Sequence, residues 1–449
     1  MKKTILILSL ILTISQLVYS QENKSTGLSL QQCVKIAVEN NINVKSARID
    51  REKTEYKKQE TRAALLPKIN LSGNFQDNLS LPTTVIPGSF IGKPGTDIAM
   101  QMGSQYNASA SLSISQVLYN RTNLLALEIT KKSEALSNLS VEKASEEIAA
   151  EVARLYFLIL TTTEQQKLIE GNIVRSEKLK NITKVIVENG IGKQVDIDRV
   201  NVNLENYYTQ LSNTRATLEQ QMNMMKYLLD IPQEQNIFLT DKTDVPILQN
   251  TPALMSDFSN QVDIKLLESQ QQTNLLNQKM VKSEYLPTLS VSGLFAYQGL
   301  KSDFKDYFGS SNKFYPYSYL NFSLSIPLFD GFKKHAKSNQ ARLEYQKTQD
   351  KLDAAKESFS MNYKNALNNY INNKNNVSRQ QNNLKLAEKI YDESSLKYHE
   401  GLTNMSNLLQ DEISLNNSQS GYLTTIYNFR DSEIKIMSIN GEIRNLYNK

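Results

Sequence analysis

The stretch YLPTLSVSGLF, residues 285–295, has an echo in LLPKINLSGNF at 65–75, and how it is read decides the fold. In the later copy Leu289, Val291, Gly293, Phe295 and Tyr297 fall on one side of an extended chain, with Ser290, Ser292 and Gln298 on the other. That is the period of a strand with one apolar face. Three further segments alternate in the same way. They are Ile69, Leu71 and Phe75 against Asn70, Ser72 and Asn74; Ala108, Ala110, Leu112 and Ile114 against Ser109, Ser111, Ser113 and Ser115; and Leu320, Phe322, Leu324 and Ile326 against Asn321, Ser323 and Ser325. The pattern predicts four strands in the chain, paired as 68–78 with 106–117 and as 287–298 with 317–328.

The echo continues downstream. SLSISQVLYN at 111–120 resembles FSLSIPLFDG at 322–331, and VENGIGKQVDIDRVNVNL at 187–204 aligns with YHEGLTNMSNLLQDEISL at 398–415, pairing Gly190 with Gly401. The order is kept and the offsets stay between 210 and 220, which reads as an internal twofold repeat. The first repeat would occupy 21–230 and the second 260–449. A segment at 231–259, with Pro232 and Pro246, would join them.

Each predicted strand is about 10 residues, enough for a tilted strand to cross a bilayer. Alternation alone fits a half-buried strand of a soluble sandwich equally well. The rest of a sandwich is missing, however, because the segments between the strands have helical periodicity. In lipid an open four-stranded sheet leaves its edge groups unsatisfied and must close. Four strands are too few when the smallest barrels have about eight, so closure would require several chains.

After each strand pair comes a proline-free helical stretch, 121–189 and 331–400, opening just past Asn120 or Asp330, both good N-caps. At about 1.5 Å per residue each would extend on the order of 100 Å. Along the second, Tyr363, Tyr370, Val377, Leu384, Tyr391 and Tyr398 recur at spacing seven, with Ala366, Asn373, Gln380, Ala387 and Ser394 as companions. A coiled coil would be apolar at both positions, so this is a thin seam for sideways packing with other faces left wet. Each rod ends at a glycine turn, NGIGK at 189–193 or EGLTN at 400–404, and a return helix follows at 193–229 or 403–445. Further amphipathic helices precede the strand pairs, at 28–65 with a break near Asn40-Asn41, and at roughly 260–285.

Lys2 and Lys3 precede the apolar run ILILSLILTI at 5–14, with Val18 and Ser20 before Gln21. This reads as a signal peptide, residues 1–20, too short in its apolar core to span a membrane. Its removal would take the net charge from +5 to +3, too mild to argue for a nucleic-acid partner. Cys33 is the single cysteine, so no intrachain disulfide can form, and beside Leu30, Val34 and Ala37 it reads as a small core residue. Only His335 and His399 are present, with no GxSxG, HExxH or phosphate-loop pattern. No enzyme, metal site or cofactor is expected.

LSLQQCVKIAVENNINVKSARIDREKTEYKKQETRAALLP at 28–67, the two strand pairs, LFDG at 328–331 and the two glycine-led tips resemble the TolC-type outer-membrane efflux proteins over nearly the whole mature chain. The resemblance implies a mainly α fold with β: long helical hairpins forming a periplasmic α-barrel, and four strands per chain contributing to a shared twelve-stranded outer-membrane barrel. It also implies a homotrimer in outer-membrane lipid that extends into the periplasm, served by a periplasmic adaptor (membrane fusion) protein and an inner-membrane pump of resistance-nodulation-division or ABC type. By the same resemblance Gly190, Asp196 and Asp198 at one tip, and Gly401, Asn407, Gln410 and Asp411 at the other, are candidate gate residues. The chain departs from the family where acidic rings often lie six and nine residues past the second tip glycine, since those positions are Asn407 and Gln410. The competing reading is a structural or adhesive coiled-coil protein of the envelope without a pore.

Overall fold

The computed structural model describes residues 26–92, 94–243, 257–309 and 312–448. The signal peptide and Pro246 lie outside the described residues. The chain divides into two units, one made of Met1–Arg51, Leu136–Glu268 and Asp350–Lys449, the other of Glu52–Ala135 and Ser269–Gln349.

The second unit carries the main sheet. β2 (Lys68–Asp77), β5 (Tyr106–Tyr119), β7 (Thr288–Lys301) and β8 (Tyr315–Ser325) form an antiparallel sheet in that order. Register places Leu71 opposite Leu112, Leu112 opposite Phe295 and Phe295 opposite Ser318, so one apolar face runs through the sheet. Away from the loop end, much of that face is uncovered among the described residues: Leu71 is 79% exposed, and Leu320, Phe322 and Leu324 about two thirds. The other face is mostly serine and asparagine away from the loop end, with the Ser72 and Ser111 hydroxyls 2.8 Å apart, and carries Tyr315, Tyr317 and Tyr319 nearer the loops. The last strand begins two residues earlier than predicted and stops at Ser325, not 328, because Pro327 has no N–H to offer a ladder.

Four strands is not the full count. A hairpin of β3 (Thr83–Pro87) and β4 (Asp97–Gln101) stands in the connection between β2 and β5. A parallel pair, β1 (Thr26–Leu28) with β6 (Ile237–Leu239), belongs to the first unit. Neither shows alternation long enough to be read from sequence. At the loop end of the main sheet, Phe75 and Tyr106 stack, Phe304 packs edge-on to both and Tyr307 edge-on to Phe75, and the Tyr307 hydroxyl donates to Gly299 O at 2.8 Å.

The helices are α1 (Leu30–Asn40), α2 (Ile42–Ala63), α3 (Arg121–Glu188), α4 (Gln194–Leu229), α5 (Val262–Ser283), α6 (Lys333–His399) and α7 (Met405–Asn440). The first long rod starts at Arg121 as the sequence suggests, whereas the second starts at Lys333 and not at 331, because Gly331 and Phe332 both take a positive φ of 66°. Asn120 Oδ1 accepts from Thr122 N at 2.9 Å, and Asp330 Oδ2 from Lys334 N at 3.0 Å. The break between α1 and α2 is Asn41, whose ψ of 138° is non-helical and whose side-chain amide donates to Leu228 O at 3.1 Å. The return helix does not run to 445: Gly441, at φ 71°, ends it at Asn440, and a 3₁₀ turn, Glu442–Leu446, follows.

The main core of the first unit gathers residues from the whole length of the chain. Leu28, Cys33, Val34 and Ala37 meet Val152, Tyr156 and Phe157 of α3, Met225 and Leu229 of α4, Ile434 of α7 and Ile443 of the closing turn. Tyr156 is fully buried, and its hydroxyl lies 3.1 Å from Leu28 O and 2.9 Å from Asp241 Oδ2. The Asp241 oxygen also accepts from Leu30 N at 2.8 Å, so one carboxylate ties the start of α1 to the end of the β6 segment. Among the described residues no helix is long and apolar enough to cross a membrane, and no cluster of His, Cys, Asp or Glu could hold a metal ion.

Candidate functional site

The two helical tips have the same backbone geometry. Gly190 takes φ 74° and Gly401 φ 75°, conformations that suit glycine, and the next residue closes each helix. Ile191 N donates to Ile186 O at 3.1 Å, and Leu402 N to Lys397 O at 2.7 Å. Nothing lies within 4 Å of a Cβ placed on either glycine, so backbone conformation and not space requires glycine here. The second tip is reinforced by Asn404, whose side chain accepts from Asn407 N at 2.9 Å and starts α7.

The candidate gate residues separate into three settings. Asn407 and Gln410 are exposed and, with the half-buried Asp411, line an open cleft of about 360 Å³ together with Glu393 and Lys397 of α6. Asp196, on α4, forms an ion pair with Arg199 at 3.4 Å, and Arg199 donates to Ser406 Oγ at 2.8 Å, linking α4 to the start of α7. Asp198 is exposed and accepts weakly from Gln194 at 3.4 Å. No two of these three carboxylates are brought together to share a hydrogen bond.

Near the tips the buried acid is Glu412, 2% exposed. Its carboxylate accepts from the Tyr207 hydroxyl at 3.0 Å and from Asn203 Nδ2 at 2.9 Å, both on α4. Burial pushes its pKa above the usual carboxylate value. The Tyr207 hydrogen bond, the positive charge of Arg175 and the Asn203 hydrogen bond each oppose that shift. Burial, and then the neighbouring Glu412, push the Tyr207 phenol upward in turn. The network extends through Asn416, which donates to Tyr207, to Asn172 of α3, and from Asn172 to Gln419 at 3.2 Å. Arg175 sits 5.2 Å from the Tyr391 ring centre. Thus one buried polar cluster joins α3, α4, α6 and α7. Glu412 is not among the candidate gate residues, and nothing in its flanking residues marks it as inward-facing.

The heptad positions of α6 face the chain's own helices. Tyr363 and Tyr370 are buried against Phe258, Phe359, Phe429 and Ile436. Tyr391 and Tyr398 are buried with Leu179, Val200, Met405, Leu408 and Leu415, while Leu384 packs at the margin and Val377 is half-buried. Of the companion positions, Ala366, Ala387 and Ser394 are buried and Asn373 reaches Asn428 O at 3.1 Å.

This geometry has relatives. The family profile described as outer membrane efflux protein matches residues 33–229 and 259–442. The chain is similar to the outer membrane protein TolC of Escherichia coli strain K12, with 19% identity over 437 residues that cover 93% of this chain and 83% of that one. Its fold is similar to the open state of the Neisseria gonorrhoeae MtrE outer membrane channel, with a TM-score of 0.75 and 18% identity across 92% of this chain and 88% of that one. The Campylobacter jejuni CmeC outer membrane channel aligns with a TM-score of 0.72 and 16% identity, covering 92% and 85% of the two chains.

Proposed function

The chain belongs to the outer membrane efflux protein family, and from that premise we propose that it is the passive exit duct of a tripartite efflux or type I secretion system. Three copies would close one twelve-stranded barrel in the outer membrane, continued into the periplasm by packed helical hairpins. An inner-membrane pump, of resistance-nodulation-division or ABC type, would supply the energy through a periplasmic adaptor. Each half of the chain runs helix, strand pair, long helix, return helix, and an internal twofold repeat would let one chain furnish two similar wedges of a nearly symmetric tube.

The observation that carries this reading is the open sheet. β2 and β8 each pair on one side only among the described residues, and one face is apolar and largely exposed while the other is mainly polar and uncharged. In water such edges and such a face are a liability; in a bilayer, with edges joined to neighbouring copies, both are satisfied.

The experiment is extraction and conductance. Release from outer membranes only by detergent, as trimers that conduct single-channel currents in planar bilayers, is the expected result. A stable folded monomer without conductance would instead support a structural coiled-coil protein of the envelope.

A further inference from the structure

The polar face of the main sheet changes character along its length. On β8 the side chains of that face are Tyr315, Tyr317, Tyr319, Asn321, Ser323 and Ser325 in order. The three tyrosines stand in the half nearest the 302–314 connection, and the small residues fill the other half. Register carries the contrast into β7, where Tyr319 lies opposite Leu294, Tyr317 opposite Ala296 and Tyr315 opposite Gln298. The intervening β8 residues, Leu320, Phe322 and Leu324 among them, belong to the opposite, apolar face, so these tyrosines are not an interfacial girdle turned towards lipid.

The three residues are 58%, 46% and 55% exposed. At alternate positions of one strand they stand roughly 7 Å apart. The face around them is uncharged: of the strand residues on that side, the one charged group is Lys68, opposite Ser115 at the far end of the sheet. A wall that needs only to be wet is served by serine, as the other half demonstrates. Large rings instead offer flat faces on which another flat group stacks, and a neutral surround gives no preference for either sign of charge.

We propose that Tyr315, Tyr317 and Tyr319 form an aromatic ladder on the lumenal wall near the outer mouth, and that the favoured cargo carries an uncharged planar aromatic group. This rests on the reading of the sheet as one third of a barrel whose polar face lines the lumen. Three copies bring nine rings to the wall. The spacing lets a planar group remain in contact with one ring as it reaches the next, so it is held briefly at each position and is never bound tightly enough to stop transit.

The test uses purified trimers in planar bilayers, with 4-nitrophenyl glucoside or its saturated counterpart cyclohexyl glucoside added on the side of the strand-connecting loops. The aromatic probe should interrupt the current and the saturated one should not. Tyr317→Ser should shorten the interruptions on the order of tenfold, the loss expected for one stacking contact. Tyr317→Phe, which keeps the ring, and Tyr297→Ser, on the opposite face, should leave them unchanged. Open channels that neither probe interrupts, or that both interrupt alike in all variants, would overturn the ladder and leave the duct standing. Assembled trimers that pass no current would overturn the duct, and the ladder with it.

Discussion

Glu412 shows what one residue can do in this fold. A carboxyl group whose pKa is raised by folding holds its proton more tightly in the folded chain than in the unfolded one. Its contribution to stability is therefore complete below the unfolded value near 4.5 and is lost as pH rises through the raised folded value. The groups facing it are Tyr207 and Asn203 on α4, Arg175 on α3 and Tyr391 on α6, and of these only Arg175 is charged. Glu412→Gln should retain an acceptor for Tyr207 while removing the titration. Thermal melts at about pH 7 and about pH 5 should show the native protein gaining on the variant at the lower pH. Parallel profiles would mean that the carboxyl stays charged throughout.

The legible and illegible parts of the sequence divide at the same scale. The strands could be read because alternation is a local property of about 10 residues. Asn41 and Asn120 could be read because a cap acts on the two or three residues beside it, whereas the start after Asp330 slips to Lys333 behind two positive-φ residues. The inward orientation of Glu412 could not, because it depends on which face of α7 turns towards α4, and Asp411 next to it is an acid too. Likewise β1 and β6 are three-residue strands whose partners lie 211 residues apart, a pairing with no local trace.

Among the elements, α6 has the most demanding sequence. Its heptad tyrosines are buried against α7 and the Phe258 segment, so a charge placed there has no solvent to retreat to. Tyr370→Asp should cost several kcal/mol, seen as a lower melting temperature or poorer assembly, whereas Asn372→Asp on an exposed face should cost little. Equal tolerance of both would leave the stripe without a packing role. The connections can be tested for sidedness. Ser89, exposed in the 3₁₀ turn Gly88–Ile91, should react as cysteine with an impermeant reagent on intact cells, and Thr403 at the helical tip should not, both in a Cys33→Ala background. Reaction at Thr403 alone would invert the topology.

At the scale of the whole molecule, the proposed duct would rest closed or open according to its tips. With amides at 407 and 410 there is no carboxylate ring at those two positions to attract a divalent cation. Single channels should resist divalent block, and Asn407→Asp with Gln410→Asp, six new carboxylates in a trimer, should introduce it by making a cation the favoured partner of mutually repelling charges. Tight block of the native pore, unaltered by the double change, would point to other acids at the constriction.

The core of the first unit joins residue 28 to residue 446. Emerging from the secretion machinery in sequence order, Cys33 waits for almost the entire chain before Ile443 and Leu446 arrive to cover its neighbours, so this unit cannot be finished piecemeal. The thiol, wholly buried and with its pKa pushed by burial up to about 12 once folded, is thereby a natural timer. Pulse alkylation of newly exported native chains should modify Cys33 freely at first, then fall silent in step with completion of the last turn. A chain truncated after Asn440 should stay reactive. Early protection in the truncated chain would mean that the amino-terminal half seals itself and that the carboxy-terminal turn is only trim.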